Sequence, residues 1–189
     1  GVGMATGMAL AERMLSSTAQ KNRENYTYVL VGDGDLQEPI SIGAATLAGH
    51  WKLSKLVMFY DKNDIQIAGK TSRCDSTNYA DLFKAMNWDV QEIDGHDHKA
   101  IREAIENAQA SPLPSIIIGN TIIAKGSATL ENTSQSHGAP FSPEEIIRTR
   151  KKLGLPEHES FYCPVEVKKY FQRNFKSIQQ LISDSDGRK

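Results

Sequence analysis

Apolar residues in this chain fall into short unbroken runs separated by longer stretches of helical spacing. Runs at residues 26–31, 55–60, 88–93 and 115–118 are rich in Val, Ile, Tyr and Phe and are bounded by turn residues, which predicts four strands. Residues 4–17 are rich in Ala, Met and Leu, and their small side chains (Gly3, Ala5, Gly7, Ala9, Ala11) suit a helix packed tightly on a sheet. A polar turn at 21–25 leads to the first strand. Further helices are predicted over 40–48, with Pro39 in its first turn, over 78–86, with Tyr79, Leu82 and Phe83 inward, and over 98–110. In the last of these, Asp97 can cap the start and Ile101, Ala104, Ile105 and Ala108 form one apolar stripe. Ser142-Pro143-Glu144-Glu145 opens another helix over 143–153. Polar loops are expected at 61–76 and 124–141, a helical arm over 164–182 and a frayed tail at 184–189.

Strands that alternate with helices imply βαβ units, hence an α/β fold with a parallel sheet and helices on both faces. Ligands of such sheets bind beyond the carboxyl ends of the strands, where Asp33, Asn63 and residues 120–127 are expected. The domain division expected is 1–155 for the sheet domain and 156–189 for the arm.

Composition narrows the class. A formal charge of −1 over 189 residues argues against a nucleic-acid binder, and no apolar stretch reaches the ~20 residues that span a bilayer. Cys74 and Cys163 are the only cysteines, which speaks against a disulfide scaffold and for a reducing, cytoplasmic setting. The opening Gly1-Val2-Gly3 has no initiator methionine and reads like the middle of a protein, so a fragment or a trimmed chain is expected.

The chemistry is concentrated at the ends of the first two strands. Gly32-Asp33-Gly34 follows the first, and Asp61-Lys62-Asn63 follows the second. Flanking glycines let a backbone approach a phosphate closely and offer N–H groups, while Asp33 supplies a carboxylate to Mg²⁺ or Ca²⁺. Asn63 adds an amide oxygen, and a nearby loop carbonyl such as that of Ile65 a third oxygen. The helix that follows adds its N-terminal dipole. Gly-Asp-Gly alone is more often a plain turn. The asparagine after a second strand favours a metal–diphosphate grip.

These residues and four further stretches carry a resemblance. The stretches are Phe59-Tyr60-Asp61-Lys62-Asn63-Asp64-Ile65-Gln66-Ile67, Ile93-Asp94-Gly95-His96-Asp97, Thr121-Ile122-Ile123-Ala124-Lys125-Gly126-Ser127 and Ser136-His137-Gly138-Ala139-Pro140. In order and spacing they resemble the transketolase family, specifically the diphosphate-binding domain of thiamine-diphosphate enzymes, over residues 1–175. The resemblance implies that Asp33, Asn63 and the Ile65 carbonyl bind the metal, Mg²⁺ or Ca²⁺, and that Gly32, Asp33, Gly34 and Asn63 hold the diphosphate. It makes Ile67 and Ile123 the walls around the thiazolium ring. His137 would touch the diphosphate near the substrate, and Glu38 would join a carboxylate link between the two active sites. Read without the resemblance, Ile67 and Ile123 could equally be core, His50, His98 and His158 solvated, and Trp51 and Trp88 packing; His96 suits local turn structure. Asp35, Pro39, Asp64 and Ser134 depart from the residues common in the family, glycine being usual at positions 39 and 64.

The resemblance further implies transfer of a two-carbon ketol unit from a ketose phosphate to an aldose phosphate, with thiamine diphosphate doing the carbanion chemistry. It implies a pyrimidine-binding domain or partner subunit, and a homodimer or heterotetramer in the complete enzyme. The glutamate that activates the cofactor and several substrate-gripping residues belong to parts absent from these 189 residues, so the chain by itself is expected to be inactive or nearly so. A truncated enzyme and the amino-terminal subunit of a split one both fit. The alternatives are dihydroxyacetone synthase, 1-deoxyxylulose-5-phosphate synthase, a 2-oxo acid dehydrogenase component, or a non-catalytic binding module; His137-Gly138-Ala139-Pro140 favours transketolase or dihydroxyacetone synthase.

Overall fold

Four strands form one parallel sheet, and its central pair, β2 (Leu56–Lys62) and β6 (Ser115–Asn120), is too apolar to face water and must be covered by the intervening helices. The computed structural model describes residues 1–18, 25–173 and 175. In chain order the elements are α1 (Val2–Thr18), β1 (Thr27–Gly32), α2 (Asp33–Gln37), α3 (Pro39–His50), β2 (Leu56–Lys62), a small hairpin of β3 (Ile65–Gln66) and β4 (Gly69–Lys70), α4 (Tyr79–Ala85), β5 (Asp89–Asp94), α5 (His98–Ala110), β6 (Ser115–Asn120) and α6 (Pro143–Lys152). The sheet order is β1-β2-β6-β5, all parallel. The expected α/β architecture is what the chain adopts.

Alternation along the strands splits the core in two. Leu56, Met58 and Tyr60 of β2 and Ile116 and Ile118 of β6 join Val31 on one face, packed with α1, α3 and α4. There the helices contribute mainly small residues, Ala5 and Ala9 from α1 and Ala44, Ala45 and Ala48 from α3, which lets them lie close to the sheet and to each other. Phe83 and Trp88 close that core edge to face, 5.1 Å apart. On the other face Val57 and Ile117 pack against Ala104 and Ala108 of α5. That cover is partial: Leu30 on the edge strand β1 is 79% exposed.

Several expectations shift by local physics. Both β1 and β2 run past their predicted ends, to Gly32 and Lys62, because the parallel ladder pairs Gly32 with Asp61. Helix begins at Asp33 itself, so Gly32-Asp33-Gly34 is a strand-to-helix junction rather than a free turn. Since α2 has five residues and ends at Gln37, with Glu38 extended before α3 starts at Pro39, the dipole expected after the first turn is short. The predicted loop 61–76 contains the β3–β4 hairpin, and the loop 124–141 contains a single 3₁₀ turn at Ser134–Ser136.

The chain forms two compact units, Gly1–Phe141 and Ser142–Lys189. In the second, the Ser142 hydroxyl accepts from the Glu145 N–H (3.2 Å) to cap α6. Of the expected arm over 164–182, residues 165–173 and 175 are helical; the rest of the arm past 173, the tail at 184–189 and most of the turn at 21–25 lie outside the described residues. Among the described residues no helix is long and apolar enough to cross a membrane.

Candidate functional site

Parallel pairing brings the carboxyl ends of neighbouring strands side by side, so residues far apart in sequence meet there without any loop having to reach across. Val31 lies opposite Tyr60, Gly32 opposite Asp61, and Lys62 opposite Asn120. Asp33 and Asn63, the residues immediately after β1 and β2, therefore share one rim with the segment that follows β6.

Asp33 is 5% exposed, and none of the ion pairs among the described residues involves it. Its Oδ1 accepts from the Tyr60 hydroxyl at 2.6 Å, and its Oδ2 accepts from the Asp64 N–H at 3.1 Å. Burial pushes its carboxyl above the usual carboxylate range. The Tyr60 hydrogen bond opposes that rise, and the neighbouring Asp64 charge adds to it. Asn63 is oriented in turn: its Oδ1 accepts from the Ile65 N–H (3.0 Å), and its Nδ2 faces Asp61 Oδ2 at 3.5 Å. Asp61 also accepts from the Thr121 hydroxyl, which ties the end of β2 to the segment after β6. Asp64 makes the turn after Asn63 with φ +60°, a left-handed conformation that aspartate tolerates.

Asp33, Asn63, Ile65, Tyr60, Tyr79 and Thr121 all line one cavity of about 850 Å³. The other sequence-predicted residues lie outside its lining. Gly34 is exposed, with open space where a Cβ would sit. Gly32 donates its N–H to Asp35 Oδ2 (2.8 Å) and precedes α2. Glu38 is exposed at the start of α3, and Ile67 is 79% exposed in the β3–β4 turn. Ile123 is half-buried, its carbonyl accepting from Asn132 N–H (3.0 Å). His137 is half-buried, and its Nδ1 is enclosed without a hydrogen-bond partner. His96 plays a structural part, since its Nε2 accepts from the Ile122 N–H (2.8 Å) and so joins the turn after β5 to the segment after β6.

Sequence reasoning passed over Tyr60, Asp61 and Thr121. Tyr60 reads as one more apolar strand residue. The usable signal is that a buried tyrosine needs a partner for its hydroxyl, and it stands three residues before Asn63.

The residues that line this cavity carry hard oxygens: the buried Asp33 carboxylate, the Asn63 amide oxygen and the backbone carbonyl of Ile65, which lies in β3 rather than in the loop expected from sequence. Among the described residues no three His, Cys, Asp or Glu side chains gather as a self-sufficient metal cage. Such a set fits a Mg²⁺-type ion that completes its coordination from a phosphate ligand.

Known proteins share this sequence and this fold. The family model described as the transketolase thiamine diphosphate binding domain matches residues 1–185. Transketolase of Sinorhizobium medicae is 45% identical over 169 residues, covering 89% of this chain and 24% of that protein. Transketolase of Bacillus subtilis is 42% identical over 177 residues, covering 90% and 26% respectively. Among solved structures, Campylobacter jejuni transketolase superposes with a TM-score of 0.86 at 37% identity, over 90% of this chain and 27% of that one. Pichia stipitis transketolase in complex with sedoheptulose 7-phosphate superposes with a TM-score of 0.91 at 31% identity, over 99% and 29%. The chain thus spans about a quarter of the length of the relatives it matches. It belongs to the family of transketolase thiamine diphosphate binding domains.

Proposed function

We propose that the cavity at the ends of β1 and β2 holds the diphosphate of thiamine diphosphate through a divalent ion, Mg²⁺ or Ca²⁺, bound by Asp33, the Asn63 amide oxygen and the Ile65 carbonyl. The observation that carries this reading is the Asp33 carboxylate, 5% exposed and outside every ion pair among the described residues, beside Asn63 and Ile65 on one cavity. A buried carboxylate without a countercharge is costly, and a divalent ion offsets that cost. The open space over Gly34 leaves room for a phosphate at its backbone, the role we assign to it together with Gly32.

When bound, thiamine diphosphate supplies the electron sink that lets a carbon–carbon bond beside a carbonyl break and re-form. This chain's residues hold and orient. Asp33 and Asn63 fix the charged end of the cofactor, Ile67 and Ile123 wall its ring, and His137, whose Nδ1 is enclosed without a partner, serves the diphosphate and the substrate side. Glu38, exposed at the start of α3, is assigned to a subunit interface. In the complete enzyme this half-site serves transfer of a two-carbon ketol unit from a ketose phosphate to an aldose phosphate. It does so with a pyrimidine-binding domain or partner subunit, as a homodimer or heterotetramer in the cytoplasm. We assign residues 1–155 to the diphosphate-binding domain and 156–189 to an arm, a functional division that runs past the boundary of the first compact unit at Phe141.

Calorimetric titration of the chain with thiamine diphosphate and Mg²⁺ tests this. Asp33→Ala is expected to abolish binding; equal binding by Asp33→Ala and the wild type would overturn the assignment.

A further inference from the structure

Tyr60 is 2% exposed, and its hydroxyl lies 2.6 Å from Asp33 Oδ1. The other carboxylate oxygen is held from a different direction, by the Asp64 N–H at 3.1 Å. Two donors on two oxygens, one from β2 and one from the turn after Asn63, resist rotation of the carboxylate about its Cβ–Cγ bond, because any turn stretches one of them. The tyrosine is itself held. Its ring meets Tyr79 edge-on at 5.7 Å, and the Tyr79 hydroxyl donates to Asp75 at 2.7 Å. A phenylalanine would fill the same space among Val31, Met58 and Ile118 with no polar group to satisfy. The hydroxyl is therefore surplus to packing.

We propose that Tyr60 is a positioning residue for the cofactor site: its hydroxyl fixes the Asp33 carboxylate in one orientation toward the cavity it shares with Asn63 and Ile65. This rests on the reading of Asp33 as a metal ligand. Ligand-supporting hydrogen bonds of this kind typically change metal affinity about 10–100-fold when removed.

The test measures the Mg²⁺ affinity of the full chain by calorimetry in the presence of thiamine diphosphate, for the wild type and for Tyr60→Phe, Tyr26→Phe and Asp33→Ala. Urea unfolding of each metal-free protein runs alongside. The expected result is a Tyr60→Phe affinity about 10–100-fold weaker, with Tyr26→Phe, which removes a hydroxyl that donates to the Gln109 carbonyl (2.8 Å) outside the cavity lining, close to wild type. Equal weakening in both tyrosine variants, in step with lost stability, would mean a packing role only and would overturn the proposal. Unchanged affinity in Tyr60→Phe with binding abolished in Asp33→Ala would overturn the positioning role alone. Binding undiminished in Asp33→Ala would instead sink the metal assignment on which it rests.

Discussion

Gly49 offers the clearest contest between two opposed effects. It lies in the last turn of α3, where replacing glycine by alanine in an exposed helix would stabilise by roughly 1 kcal/mol through backbone entropy. Here the glycine is buried against the connection between α4 and β5. A Cβ would fall inside the van der Waals envelope of the Met86 carbonyl oxygen, 3.0 Å from the carbonyl carbon and 3.2 Å from Trp88 Cδ1. The obstacle is backbone, so no rotamer change relieves it. The joint it would push apart also carries the Trp88 indole N–H bond to the Ala45 carbonyl (2.8 Å) and the Phe83–Trp88 contact. Overpacking of a well-filled core costs about 1–3 kcal/mol, and loss of the indole hydrogen bond adds about 1 kcal/mol. Set against the helix gain, Gly49→Ala should lose about 2 kcal/mol net. At 2–4 °C per kcal/mol for a chain of this size, the melting temperature should fall by roughly 4–8 °C. Thermal and urea unfolding read this directly, with Trp88 fluorescence reporting on the joint. A variant as stable as wild type, or more stable, would refute the claim that this close approach governs how α3 packs.

Two further outcomes follow from the same geometry. Asp64 holds φ +60°, so Asp64→Gly should match or exceed wild-type stability while Asp64→Val should lose about 1–3 kcal/mol; equal midpoints for both in urea would remove the case for a left-handed backbone there. Asp75 is held below the usual carboxylate range by its hydrogen bonds to Thr77 and, more weakly, Tyr79. Its folded value thus lies below its unfolded one, so its contribution is present above the unfolded value of about 4 and is lost as pH falls through the lower folded value. Asp75→Asn should therefore be less stable than wild type at neutral pH, with the gap closing below about pH 4; a gap that is constant down to pH 2 would contradict this.

The local features were legible because short-range physics decides them. Strand cores such as 115–118 are apolar whichever neighbour they pair with, and Asp97 caps α5 through bonds to the Lys99 and Ala100 N–H groups within its own turn. Asp33 and Asn63 could be placed together from sequence for a related reason: adjacent parallel strands put their carboxyl ends side by side. Other features depend on long-range register, which local periodicity does not encode. That β6 inserts between β2 and β5 is a topological outcome, and it brings the Thr121 hydroxyl to Asp61. The five-residue α2 and the two-residue strands of the β3–β4 hairpin, with Ile67 exposed at its turn, are too short for hydrophobic periodicity to mark them in the sequence. Tyr60 shows the division most sharply. Its sequence neighbours make it a buried strand residue, but only the tertiary fold, by setting β2 against β1 in one register, turns its hydroxyl into the hydrogen bond that holds Asp33.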